Sequence, residues 1–280
     1  MTNEESATKE NQRILGPGYY KEVGRKILDQ GLEVYVGDEL IPYADKVITP
    51  ENFPEYPYDY NRDGKVRMKF NQEAFSKEAR SFRSRYAESG GQWVFQHNLF
   101  VRDKGIFVVH DREVDSFYEF KDSENRGQKN KRVNLHVEQL QERLKGGKEE
   151  KGVTFSPDSS VRFTPWDALT RVERHNYFMT WHPGGRDNYH TVSESRRLSA
   201  EEVVDDGFMI ASFGVSGAEV LAQIVERTYS KSLEYWTVHS LGVVVHENYT
   251  LGVEGYEYGS FNRLSFNDGN RGYATAKEKK

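Results

Sequence analysis

The stretch Gln92-Trp93-Val94-Phe95-Gln96-His97-Asn98-Leu99-Phe100-Val101, Arg102-Asp103-Lys104-Gly105, Ile106-Phe107-Val108-Val109-His110 decides the fold class. Two runs rich in β-branched and aromatic residues flank an Asp-x-Gly turn, which predicts a β-hairpin. Downstream, Val114 to Lys121 reads as a third strand, Lys121 to Lys131 as a polar loop, and Val133 to Leu144 as a helix on Leu135, Leu140 and Leu144. Short strands are expected at 153–156, 161–164, 177–182, 208–213, 233–239, 242–246 and 249–256, with an amphipathic helix over Ala218 to Tyr229. Many short strands with turn signals between them predict a mainly β protein, an antiparallel β-sandwich with a few peripheral helices.

Upstream of the hairpin, Asn71 to Glu88 carries the clearest helical period. Ala74, Phe75, Ala79, Phe82 and Tyr86 share one face, and Lys77, Arg80, Arg83 and Arg85 lie on the other. Asn71 suits an N-cap, and Gly90-Gly91 ends the segment. A basic amphipathic helix beside a β region is suited to docking on another surface. Residues 48–65 are rich in Pro, Tyr, Asn, Asp and Gly and read as an irregular connection. Before them come a helix over Tyr19 to Gln30, a strand over Leu32 to Val36, a Gly16-Pro17-Gly18 breaker and a disordered start over residues 1–14. The domain plan is therefore an N-terminal extension over 1–70, a helical arm over 71–90, a β-sandwich core over 91–270 and a polar tail over 271–280.

Composition narrows the function classes. Of 280 residues, 36% are hydrophobic and 13% aromatic, so rings supply over a third of the apolar material. There is no cysteine, which excludes disulfides and thiolate metal sites and fits a reducing compartment. No apolar run approaches the length of a membrane span. The polar, acidic start, Met1 to Gln12, argues against a signal peptide. A net charge of -5 gives no general attraction to nucleic acid.

Several constellations test for chemistry. Asp59-Tyr60-Asn61-Arg62-Asp63-Gly64 copies the first half of a calcium loop, but Phe70 stands where the bidentate Glu belongs, so a turn is the simpler reading. Glu119-Phe120-Lys121, with Asp103, Asp111 and Gln139, follows the order of a metal-dependent nuclease, in which acidic groups hold magnesium and a Lys assists water. A half-exposed strand of alternating charge accounts for the same residues. The eight histidines, among them His97, His110, His175, His182 and His190, show no metal-ligand pair on a helix. Gly214-Val215-Ser216-Gly217 resembles a nucleophile elbow, but Ala218 replaces the final glycine.

Taken in order, several segments resemble the polyhedrins of cypoviruses. These are Glu78 to Ser84, Trp93-Val94-Phe95 with its hairpin, Phe155-Ser156-Pro157 with Val161-Arg162, Ala211 to Gly217, Arg227-Thr228-Tyr229 through Glu234 to His239, and Tyr258-Gly259. The resemblance covers about residues 78–260; residues 1–70 have no counterpart in it. It implies a capsid-like sandwich and a homotrimer that packs into crystals around virus particles in the host cytoplasm. The helix would be the assembly arm, on Arg80, Phe82, Arg83, Arg85 and Tyr86. It implies no catalytic residue, no metal and no required cofactor, although family crystals hold bound nucleotide. The partners it implies are further copies of the chain and virions, with no membrane and no specific nucleic acid.

Such a matrix has to dissolve in alkali. Tyr and Lys titrate near pH 10. When all 17 Tyr gain a negative charge and all 18 Lys lose a positive one, the net charge goes from -5 to -40. Tyr56, Tyr58 and Tyr60, and Tyr249, Tyr256 and Tyr258, are the candidate switch residues. The alternatives from other classes are the nuclease using Glu119 and Lys121 and a non-assembling β-sandwich binding module.

Overall fold

The computed structural model describes residues 13–47, 58–60, 66–68, 92–101, 104–114, 118–122, 129–133, 137–169, 177–180, 191–227, 232–241, 246–254, 263–266 and 272–279. In chain order the elements are β1 (Arg13–Gly18), α1 (Tyr20–Asp29), β2 (Leu32–Val34), α2 (Gly37–Val47), β3 (Tyr58–Tyr60), β4 (Val66–Met68), β5 (Gln92–Val101), β6 (Gly105–His110), β7 (Tyr118–Asp122) and β8 (Lys129–Val133). They continue with α3 (Val137–Leu144), β9 (Lys148–Glu150), β10 (Val153–Phe155), β11 (Val161–Pro165), β12 (Tyr177–Thr180), β13 (Thr191–Ser199), α4 (Ala200–Val203), α5 (Gly207–Arg227), β14 (Ser232–Leu241), β15 (His246–Glu254), β16 (Arg263–Phe266) and β17 (Gly272–Glu278).

Among the described residues thirteen strands share one hydrogen-bonded sheet, whose main path runs β12-β13-β14-β16-β15-β5-β6-β11-β10-β9. Most neighbours are antiparallel; β14 with β16 and β17 with β5 are parallel. The expected hairpin is present, with Val101 opposite Gly105 and Gln96 opposite His110.

Side-chain alternation along β5 divides the core. Val94 and Phe100 pack with α2 and α5 in one apolar cluster. Trp93 and Phe95 point the other way, onto Tyr20, Val23 and Ile27 of α1. Leu99 and Val101 meet Leu140 of α3. Helices therefore cover both faces of β5, and all of its residues are buried, the polar Gln92, Gln96, His97 and Asn98 included. The fold is mixed, with helices packed on antiparallel sheet. Its helices α1, α2 and α5 are central rather than peripheral.

Four expectations are corrected. Residues 13–47 are part of the core rather than an extension: Val23, Ile27, Leu40 and Ile41 are fully buried. The polar tail contains strand β17, which pairs with β1, β2 and β5 and buries Ala274 and Ala276. Its alternation of small apolar and polar residues was masked by the lysines around it. The strand expected at Phe208–Phe213 is the first half of α5. Asp206 caps it, its Oδ1 accepting from the amides of Phe208 (3.0 Å) and Met209 (3.1 Å). A short apolar run does not distinguish buried helix from buried strand. Finally, the third strand starts at Tyr118, and part of the expected polar loop is strand, since β7 and β8 form a separate hairpin. The helical arm at 71–90 lies outside the described residues.

Candidate functional site

Among the described residues, those expected from the sequence lie in different sheets. Tyr58 and Tyr60 sit in β3, opposite Met68 and Val66, and Tyr249 sits in β15 opposite Asn98. Tyr56, Tyr256, Tyr258, Arg80, Phe82, Arg83, Arg85 and Tyr86 lie outside the described residues. Glu119 and Lys121 face Arg132 and Asn130 across the β7–β8 hairpin. Asp111, their suggested partner, belongs to the core of the large sheet, and Gln139 is exposed on α3. Among the described residues no group of His, Cys, Asp and Glu is arranged to hold a metal.

The structure gathers a different set. β5 bulges at Phe95–Gln96 against β15. The freed backbone of Phe95 bonds elsewhere, its amide to the Tyr35 carbonyl (3.4 Å) and its carbonyl to the Asp111 amide (2.9 Å). On the α1 face, Asp111 Oδ2 lies 2.9 Å from His97 Nε2 and accepts from the Tyr20 hydroxyl at 3.1 Å. His97 is 1% exposed and Asp111 2%. A charge that deep is tolerated only when bonded. On the opposite face, Gln96 Nε2 donates to Asn98 Oδ1 (2.8 Å) and Ser212 Oγ (3.1 Å).

The second face is organised around a break in α5. Gly214 has φ 73° and ψ 168°, a conformation essentially reserved for glycine. A break there deprives the preceding turn of its i+4 donors, leaving carbonyls that need partners. Side chains from the sheet supply them. Arg162 Nη1 donates to the Ala211 carbonyl at 3.1 Å, and His110 Nε2 lies 3.3 Å from the Ser212 carbonyl. Arg162, 1% exposed, also forks onto Asp38 in the first turn of α2, with Nη1 to Oδ1 at 2.7 Å and Nη2 to Oδ2. Its Nε donates to the Ser159 carbonyl at 3.3 Å, and its guanidinium lies 5.0 Å from the Phe155 ring centroid. The break is thus pinned from β6, β11 and α2 together.

Electrostatics follow from this packing. Burial, and then the neighbouring Arg162 guanidinium, push His110 down to about 4, against the opposing pull of Asp38 and the Ser212 carbonyl. The imidazole is therefore neutral at pH 7 and donates one N–H to the helix break. At the rim, burial of Glu39 works against its ionisation. Hydrogen bonds from Arg112 (3.1 Å) and Lys277 (2.6 Å), with their charges, outweigh it and hold the carboxyl below its ordinary range. Lys277 brings β17 to α2 in this way.

Sequence reasoning missed this cluster. The polar triplet Gln96-His97-Asn98 inside an apolar strand and Gly214 inside an apolar run were its visible signals. The pairing of Asp38 with Arg162, 124 positions apart, had none.

No family model matches the chain. No curated protein matches it either. A solved structure described as "Accommodation of massive sequence variation in Nanoarchaeota by the C-type lectin fold" is similar at 11% identity and a TM-score of 0.47, covering 96% of this chain and 98% of that one. At that level neither a shared fold nor a shared ligand follows.

Proposed function

We propose that this protein is a non-catalytic recognition module, a rigid sheet-and-helix scaffold that binds a polypeptide partner through one end of its sheet. The observation that carries this is where the buried polar groups go. Asp38, His110 and Arg162 hold a helix break, while Tyr20, His97 and Asp111 bond across α1 and β5. These are the groups a catalyst would present to a substrate, and here they fix the frame.

The sheet end supports the same reading. Thr180, Thr191 and Leu241 come together there, Thr191 pairing with both others. The connection from β12 to β13 is Trp181-His182-Pro183-Gly184-Gly185-Arg186-Asp187-Asn188-Tyr189-His190. Trp, Tyr, Arg, Asn and Gly are the residues that recognition loops favour, large rings for contact area and small polar groups for adaptable hydrogen bonds. The test is selection of peptides from a displayed library on the purified chain. Retention should fall at least tenfold in Trp181→Ala/Tyr189→Ala, with the unfolding transition unchanged. Equal retention by the variant and the parent chain rejects this reading.

The second reading is the occlusion matrix that the polyhedrin resemblance implies: a capsid-like, trimeric, self-assembling protein of the host cytoplasm that dissolves in alkali. One structural feature favours it. The Tyr20 hydroxyl donates to a buried carboxylate, so loss of the phenolic proton sets two anions side by side inside the core. Against it, residues 13–47 lie outside the resemblance yet supply β1, α1, β2 and α2. Concentrated protein at pH 7 separates the readings: a matrix protein forms particles that clear between about pH 9.5 and 11, and a recognition module stays dispersed. Incubation with plasmid and magnesium tests the nuclease alternative on Glu119 and Lys121.

A further inference from the structure

We propose that the break in α5 is an acid-released latch: protonation of His110 loosens the hold of the sheet on the break, and α5 parts from β6 while α1 stays on the opposite face.

The geometry sets the parts. His110 ends β6, half-buried, with its Nε2 on the Ser212 carbonyl. From β11 it faces Arg162, from α2 Asp38, and from the turn after β6 Arg112; its backbone partner on β5, Gln96, is uncharged. Two fixed cations and one carboxylate therefore surround it, and the carboxylate is already engaged by Arg162. A proton on His110 adds a third positive charge to a desolvated corner. The opposite face has a separate polar set, Tyr20, His97 and Asp111, which contains neither Arg162 nor Asp38. The two faces are thus pinned independently, which allows one to open alone.

The sign follows from linkage. His110 is held at about 4 in the latched state, against 6.5 for a free imidazole. Between these values the open state binds more protons. The latch is therefore complete above pH 6.5 and weakens as the pH falls towards 4, with the open fraction rising by up to about tenfold per pH unit.

Hydrogen exchange with mass spectrometry on the full chain, corrected for intrinsic rates, tests this from pH 7 to 4. Peptides within 207–227 should lose protection over this window, while peptides within 20–29 keep theirs. In His110→Gln, an uncharged residue that retains a donor, the α5 step should disappear. If α5 and α1 lose protection together, or if the step survives in His110→Gln, the latch is refuted. Should that variant not fold, the NMR titration of the wild-type His110 ring decides. Its protonation has to coincide with the loss of α5 protection, and an imidazole that titrates near 6.5 while α5 stays protected overturns the proposal.

Discussion

The carbonyl of Ser212 occupies the space that a β-carbon on residue 37 would need. Gly37 begins α2, and Ser212 precedes the break in α5, so the two helices touch backbone to backbone at this point. Gly37→Ala forces them apart and should cost about 2–3 kcal/mol as overpacking. Gly31→Ala is the control. Its added β-carbon meets nothing within 4 Å, but φ is +72°, so the cost is conformational, about 1 kcal/mol. Urea midpoints of the two variants measure the difference. Equal midpoints would mean that the contact does not constrain α2.

Asp38 and Arg162 should behave as a coupled pair. Asp38→Asn leaves a buried guanidinium without its counter-charge and should cost about 3 kcal/mol. Arg162→Met alone removes the donor to Ala211 as well. The double variant should lose less than the sum of the two by at least about 1 kcal/mol. A strictly additive cycle would show that the fork contributes nothing as a pair.

Tyr20→Phe removes the hydroxyl that donates to Asp111 at 3.1 Å. The carboxylate keeps His97, so the loss at pH 7 should be about 1–2 kcal/mol. The alkaline limb is more diagnostic. Phenols ordinarily lose their proton near pH 10, and a phenolate beside buried Asp111 is repelled. Wild-type stability should therefore fall as the pH rises past that point, and the fall should be shallower in Tyr20→Phe. Parallel alkaline limbs would assign the fall to other tyrosines.

The turn at Ser156–Ser160 gives an acid-side test. Asp158 accepts from the Ser156 hydroxyl (2.6 Å) and from the Ser160 amide (3.0 Å) and hydroxyl (2.8 Å), with the Ser156 bond lowering it most, to about 2. The contribution of this carboxylate is complete above about pH 4 and is lost as the pH falls through 2. Solvent screening keeps it small, because the side chain is exposed. An NMR titration of the carboxyl carbon reads it directly, and Ser156→Ala should move the midpoint up. An unmoved midpoint would remove the serine as the cause.

Truncation after residue 271 separates a tail from a strand. Ala274 and Ala276 pack with Val23, Ile27 and Val34, and β17 pairs with β1 and β2. The truncated chain should lose its cooperative unfolding transition, which near-ultraviolet circular dichroism follows. Lys277→Ala removes the links to Glu39 and Glu33 and the ammonium over the Tyr35 ring, leaves β17 in place, and should cost about 1 kcal/mol or less.

Local patterns were legible where they matched one period. The β5–β6 hairpin and the helix over Tyr20–Asp29 were readable from their turn and periodic residues. Phe208–Phe213 misled because an apolar run buried on all sides loses its period, and only the Asp206 cap identifies it as helix. Of the site, only the polar triplet Gln96-His97-Asn98 and Gly214 stood out in the sequence; their partners did not. His97 and Asp111 become neighbours through the pairing of β5 with β6, Tyr20 joins them as α1 packs on β5, and Arg162 meets Asp38 across 124 positions. The tyrosine clusters were visible as composition, but composition carries no information about which hydroxyl meets a buried carboxylate.

The pairing of β1 and β2 with β17 has a consequence for synthesis. Roughly 240 residues separate β2 from its partner strand; at about 5–20 residues per second, the ribosome takes about ten to fifty seconds to deliver β17. Through that interval Leu32 and Val34 wait with their strand edge open. The nascent chain is then a substrate for chaperones, and codons that slow translation ahead of residue 272 would prolong the exposure and lower the yield of folded protein.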